Sequence, residues 1–102
     1  MAITSKQRAQ LRGLAMSEDT IIQVGKGGIT GNLIASVDAA LQARELVKGR
    51  VLETCEFSPS EVLEQLCESC AAEPVQVIGT KFVLFRRNHG DPKIELVKSK
   101  KK

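Results

Sequence analysis

The chain predicts a single α/β domain with the element order α-β-α-β-α-β-β, and three observations carry that expectation. Apolar residues recur at three-and-four spacing in three stretches. Four other stretches alternate or run together with β-branched residues. Proline, glycine and serine signals stand between these stretches. Strands that alternate with helices and finish in a hairpin imply a mixed four-stranded sheet with helices packed on one face. The 102 residues suffice for one domain with its own core, expected over 1–97, followed by a basic tail at 98–102.

The first helix runs from about Ser5 to about Met16, because Thr4 and Gln7 have capping-box spacing and Leu11, Leu14 and Ala15 fall on one stripe. Its other face carries Lys6, Arg8 and Arg12. Ser17-Glu18-Asp19 is a turn, and Thr20-Ile21-Ile22-Gln23-Val24 is a β-branched first strand. After Gly25-Lys26-Gly27-Gly28, Thr30 caps a second helix whose stripe is Leu33, Ile34, Val37, Ala40 and Leu41, ending near Ala43. The second strand, Glu45 to Leu52, places Lys48 and Arg50 on one side and Val47 and Val51 on the other, so one sheet face is basic. Ser58, Pro59 and Glu61 open a third helix that runs to about Ala72. Its inward residues are Val62, Leu63, Leu66, Cys67 and Cys70, with the glutamates outward. Pro74–Ile78 and Lys81–Phe85 close the domain as a hairpin, with Gly79 suited to the first central position of a type II′ turn.

Charge is distributed unevenly. The net charge is +3, yet from Glu53 to Glu73 the chain has six acids and no Lys or Arg, leaving 15 cations against six acids elsewhere. Such segregation provides a basic surface for a polyanion and an acidic one for solvent or a basic partner. The stretch from Arg86 to Lys102 alone holds seven cations and two acids. No apolar run approaches membrane-spanning length, and polar residues occupy the N-terminal region where a signal peptide would be apolar. Three cysteines without framework spacing suit a reduced, cytoplasmic protein.

Gly25-Lys26-Gly27-Gly28 admits two readings. A strand that turns through glycines into a helix presents unpaired backbone N–H groups and the positive end of a helix dipole to an approaching phosphate, with Lys26 as a mobile charge. The other reading is a plain strand-to-helix turn that uses glycine for its backbone freedom. Competing chemistries fit less well. Cys67-x-x-Cys70 lies near a helix C-terminus, where the dipole disfavours a thiolate, and Cys55 and His89 complete no zinc spacing. The thiols are therefore expected to be reduced and packed or idle, with no metal. Gly25-x-Gly27 lacks the third glycine of a dinucleotide fingerprint, Thr30 standing there, and no P-loop is present. No nucleophile, base and orienter gather around the lone His89, so neither an enzyme nor a cofactor is expected.

Four blocks together carry a resemblance: Leu11-Arg12-Gly13-Leu14-Ala15; Val24 to Thr30; Ala43-Arg44-Glu45-Leu46-Val47-Lys48; and Val77-Ile78-Gly79 with Val83-Leu84-Phe85-Arg86. In order and spacing, over roughly residues 3 to 97, the chain resembles the CRM domain, most closely its single-domain bacterial YhbY-like form. The resemblance implies an RNA-binding module related in shape to KH domains and to the C-terminal domain of a bacterial translation initiation factor. It further implies association with precursors of the large ribosomal subunit. The family's Gly-x-x-Gly loop falls on Gly25, Lys26, Gly27 and Gly28, and its basic positions fall on Lys6, Arg8, Arg12, Arg44, Lys48 and Arg86. Glu18-Asp19 stand where relatives often carry a basic or Pro-containing turn, and Phe85 replaces a frequent Tyr.

The expected RNA contacts are thus Gly25–Gly28, Thr30, Lys6, Arg8, Arg12, Arg44, Lys48, Arg50 and Arg86. With no Trp or Tyr and three Phe, base stacking is a minor contributor, and phosphate and 2′-hydroxyl contacts to structured RNA dominate, an RNA that the resemblance implies is ribosomal. The expected protein is a noncatalytic, monomeric assembly factor, with ribosomal proteins as secondary partners and no membrane. The alternative is a protein-interaction adaptor that docks a basic partner through the acidic third helix.

Overall fold

A computed structural model describes residues 3–88 together with Gly90, Ile94 and Leu96. The elements are α1 (Ser5–Ala15), β1 (Thr20–Val24), α2 (Gly31–Arg44), β2 (Leu46–Val51), α3 (Pro59–Cys70), β3 (Glu73–Ile78) and β4 (Lys81–Phe85), in the expected order. The boundary at 97, the basic tail and His89 lie outside the described residues. No described helix is long and apolar enough to cross a membrane.

The helix starts follow their cap chemistry. Gln7 N–H donates to Thr4 Oγ1 (3.1 Å) while Thr4 N–H donates to Gln7 Oε1 (3.0 Å). Ser58 and Glu61 repeat that reciprocal pair, with Pro59 in the first turn. At α2 the Thr30 hydroxyl accepts Leu33 N–H (3.1 Å). Each cap of this kind contributes about 1 kcal/mol.

The four strands form one mixed sheet in the order β1-β2-β4-β3. β1 and β2 run parallel, so α2 must cross over between them, whereas β2–β4 and β4–β3 are antiparallel. Gly79 has φ +58° and Thr80 does not enter the positive region, as a type II′ turn requires.

Alternation along the central strands divides the core. Val47, Val51, Ile22, Val24, Phe82 and Leu84 pack toward Val37, Leu41, Val62, Leu63 and Leu66 of α2 and α3. On the opposite face Leu46, Val83, Phe85 and Val75 pack against Leu11 and Ala15 of α1, with Ile3, Ile94 and Leu96 alongside. The helices therefore do not all lie on one face, as the sequence suggested: α1 covers the other. The cause is visible in β4, where Phe82, Val83, Leu84 and Phe85 are consecutive buried apolar residues, and a strand apolar on both faces needs cover on both.

Two local expectations also change. Leu14, read as part of the α1 stripe, is 39% exposed, because the helix touches the sheet along a line through Leu11 and Ala15. Glu45, read as the first residue of β2, instead caps α2 at φ +67°, its N–H bonded to Leu41 O. Its fully buried carboxylate accepts the N–H groups of Asn88 (2.6 Å) and Ile94 (2.7 Å), tying the segment after β4 to the domain.

Candidate nucleic-acid interface

Because β1 and β2 are parallel, the loops that follow them leave the same end of the sheet, linked by Leu52 N–H to Val24 O (2.8 Å). Gly28 N–H returns to Gly25 O (2.9 Å), closing a four-residue turn that holds Lys26 and Gly27 at its exposed centre. Thr30 then starts α2 and directs its hydroxyl to Leu33, while Gly31 and Asn32 are exposed at the helix N-terminus. A Cβ on Gly31 would meet nothing within 4 Å, so the flank of the first turn of α2 is open there.

The glycines have separable reasons. Gly28 has φ +66°, and a Cβ there would lie 3.2 Å from the Phe57 ring, so turn geometry demands glycine. Gly27 has no positive φ, and a Cβ there would meet only Thr30 Cγ2, at an ordinary 3.5 Å. Among the described residues no internal contact requires glycine at 27.

The basic sheet face is present on the side of α1. Lys48 and Arg50 project there, and Lys48 Nζ donates to Ala15 O (3.2 Å), a carbonyl at the end of α1 that also accepts Glu18 N–H (3.1 Å). Lys81 pairs in register with Arg50 and joins this face. Arg50 Nε is buried and has no hydrogen-bond partner. On α1, Lys6 is exposed, whereas Arg8 and Arg12 are half-buried flanks of the helix, and Arg8 Nε donates to Pro74 O (3.2 Å).

Two of the expected cations stand elsewhere. Arg44 ends α2 and pairs with Glu18 (3.6 Å), an exposed contact worth at most about 1 kcal/mol. Arg86 is engaged internally: its guanidinium donates to Asp38 Oδ1 (2.6 Å), Cys70 O (2.9 Å), Asp38 O (3.1 Å) and Gln42 Oε1 (3.4 Å), joining α2 to the end of α3. Two surface residues escaped the sequence reading. Lys81 needed the β2–β4 register to be seen, and Phe57, 39% exposed against Gly28, needed the fold of the 52–58 loop. That loop also exposes Glu53 and Glu56, and α3 exposes Glu61, Glu64 and Glu68 on the face away from Lys48. The sheet thus separates the basic surface from the acidic helix.

The cysteines belong to the α2–α3 core. Cys67 and Cys70 are buried, and Cys70 Sγ lies 3.8 Å from Ile34 O. Burial, reinforced by Glu73, pushes the Cys67 thiol up to about 12, and burial with Asp38 raises Cys70 despite the opposing Arg86. Among the described residues no three His, Cys, Asp or Glu side chains gather to hold a metal. A folded-state thiol raised above its ordinary value keeps its proton longer than the unfolded chain does. Stability is therefore full below about pH 9 and declines as pH rises toward 12. Urea titrations between pH 8 and 11 should show this decline, and Cys67→Ala should flatten it; a slope identical in both proteins would contradict the assignment.

The chain is similar to several known proteins. The model of the CRS1 / YhbY (CRM) domain matches residues 3–86. The chain is 40% identical over 94 residues to the Bacillus subtilis protein named Probable RNA-binding protein YqeI, covering 92% of this chain and 98% of that one. It is 34% identical over 102 residues to Probable RNA-binding protein MJ0652 of Methanocaldococcus jannaschii, covering 98% and 75%. The solution structure of SAV1595 from Staphylococcus aureus superimposes with a TM-score of 0.79 at 42% identity, over 95% of this chain and all of that one. The match begins at Ile3 and ends at Arg86, enclosing all seven elements, and the chain belongs to the CRS1/YhbY (CRM) domain family.

Proposed function

We propose that this protein is a noncatalytic RNA-binding protein that grips structured RNA by its backbone, and that its target is ribosomal RNA in precursors of the large subunit. The observation that carries the reading is the exposed turn at the start of α2, with Lys26 at its tip and a Gly27 that no internal contact requires. The basic face formed by Lys48, Arg50 and Lys81 adds further cations. Relatives that match nearly the whole chain are named as RNA-binding proteins, which supports the polyanion as RNA. Phe82 and Phe85 are fully buried, so the sheet offers no aromatic platform, and phosphate and 2′-hydroxyl contacts dominate. A cytoplasmic monomer suffices for this role. Sedimentation of the tagged protein should show enrichment with large-subunit precursors over mature particles; co-migration with neither would end the ribosomal assignment.

Lys26→Ala should weaken binding to a structured RNA by about 1 kcal/mol, the size of one charge-assisted contact, with an unchanged melting temperature. Equal affinity of mutant and wild type at low and moderate salt would remove the loop from the interface. Neutralising Lys6, Arg8 and Arg12 together should reduce the salt slope of binding by roughly 2 units. Each phosphate contact releases close to one counterion, and Arg8 already serves Pro74. An unchanged slope would mean that α1 faces away from the RNA.

A further inference from the structure

At the C-terminal end of α1 a cavity of about 200 Å³ opens beside the basic sheet face. Its inner surface is Ala15 and Val83, both buried, and its outer walls are Met16, 83% exposed, and Ile78, 62% exposed, the two most exposed large apolar side chains described. Lys48, Lys81 and Gln76 complete the lining. Gln76 reaches it because the register of β3 shifts between Pro74 and Gln76, placing Gln76 opposite Val83 on the face of α1.

We propose that this cavity receives one unstacked base of the bound RNA, an inference that rests on the RNA-binding reading above. The space is smaller than the roughly 300–1,000 Å³ of pockets for drug-sized ligands and suits a single ring system. Its outer walls are apolar, and the Met16 thioether can lie against a ring, a contact the sheet phenylalanines do not offer because Phe82 and Phe85 are buried. Gln76 offers both a donor and an acceptor to a base edge. The charges commit the occupant further: Lys48, pinned by one hydrogen bond to Ala15 O, retains free donors, and Lys81 and its register neighbour Arg50 continue a cationic line. Cations beside a ring-sized apolar slot match a nucleotide, whose base is apolar on its faces and whose flanking phosphates are anionic. The phosphate-gripping turn and this cavity would then divide the work, the first holding the RNA backbone and the second selecting RNAs that can release a base.

The test compares two hairpin RNAs that differ only in one bulged nucleotide, with affinity measured by fluorescence anisotropy. Wild type should prefer the bulged RNA by about tenfold, near the upper end of a sulfur–ring contact. The double variant Met16→Ala, Ile78→Ala, altered only at exposed positions, should lose the preference while keeping its affinity for the paired RNA and its salt slope. Lys26→Ala should weaken both RNAs equally. Equal wild-type affinity for the two RNAs, or a preference that survives the double variant, overturns the cavity assignment and leaves the RNA reading standing. Binding of neither RNA overturns both. NMR signals of Ala15, Gln76 and Val83 that respond to an acidic peptide with a leucine side chain, and not to the bulged RNA, would assign the cavity to a protein and overturn it.

Discussion

Gly49→Ala should destabilise the domain by about 3 kcal/mol, the upper end of overpacking costs, and lower its melting temperature by roughly 12 to 24 °C. Gly49 sits in the central strand, opposite Ile22 on one side and Phe82 on the other. A Cβ added there would overlap the fully buried Phe82 ring, lying 2.7 Å from Cε1 and 3.0 Å from Cε2. Glycine inside a strand is itself unfavourable by about 0.5–1 kcal/mol, and close approach of the ring is its physical reason. Phe82→Leu in the alanine background should recover part of the loss, so the double mutant will be more stable than the two single effects summed. Melting of Gly49→Ala within two or three degrees of wild type would show that the ring can move aside. The functional stake is local: Lys48 and Arg50 flank Gly49 on the opposite face, so the packing that seats the ring also aims two of the basic residues.

Gly27→Asp should fold like wild type yet bind RNA at least tenfold more weakly, a larger effect than Lys26→Ala although no cation is altered. The aspartate adds a negative charge where phosphate approaches, adds a Cβ against the incoming backbone, and can accept the helix N–H groups an anion would use. The new Cβ meets only Thr30 Cγ2 at 3.5 Å, and the native φ is not positive, so the fold has no cause to suffer. Gly28→Asp differs. Its backbone at φ +66° strains any side chain by roughly 1–2 kcal/mol, and its Cβ presses on Phe57 at 3.2 Å. It should lose stability and affinity together. Paired melting and binding curves decide the matter: a Gly27→Asp protein with normal affinity would reduce the glycine run to a turn.

Much of this was legible before the structure because its causes are local. Thr4 with Gln7, and Ser58 with Pro59 and Glu61, announce helix starts through groups three residues apart. Lys48 and Arg50 announce a shared face through simple alternation. What escaped depends on partners far along the chain. Arg86 reads as a free cation until Asp38, 48 residues away, captures it. Glu45 reads as a strand residue because a left-handed glutamate cap has no compositional signal, and its reward lies at Asn88 and Ile94. The place of α1 depended on recognising that β4 is apolar on both faces. The cavity required a register shift in β3 and the neighbouring end of α1, neither of which periodicity reports.

The sheet that parts the cations of the α1 side from the glutamates of α3 has a kinetic consequence. A molecule charged oppositely on its two faces experiences a torque near a polyanion as well as an attraction. Encounters begin with the basic face already turned toward the RNA, shortening the rotational search that slows the docking of two specific patches. Ionic strength should then act chiefly on the rate of arrival, while the lifetime of the complex would be governed by the short-range contacts proposed for the turn and the cavity. Fast capture and slow, shape-dependent release would then be under separate control.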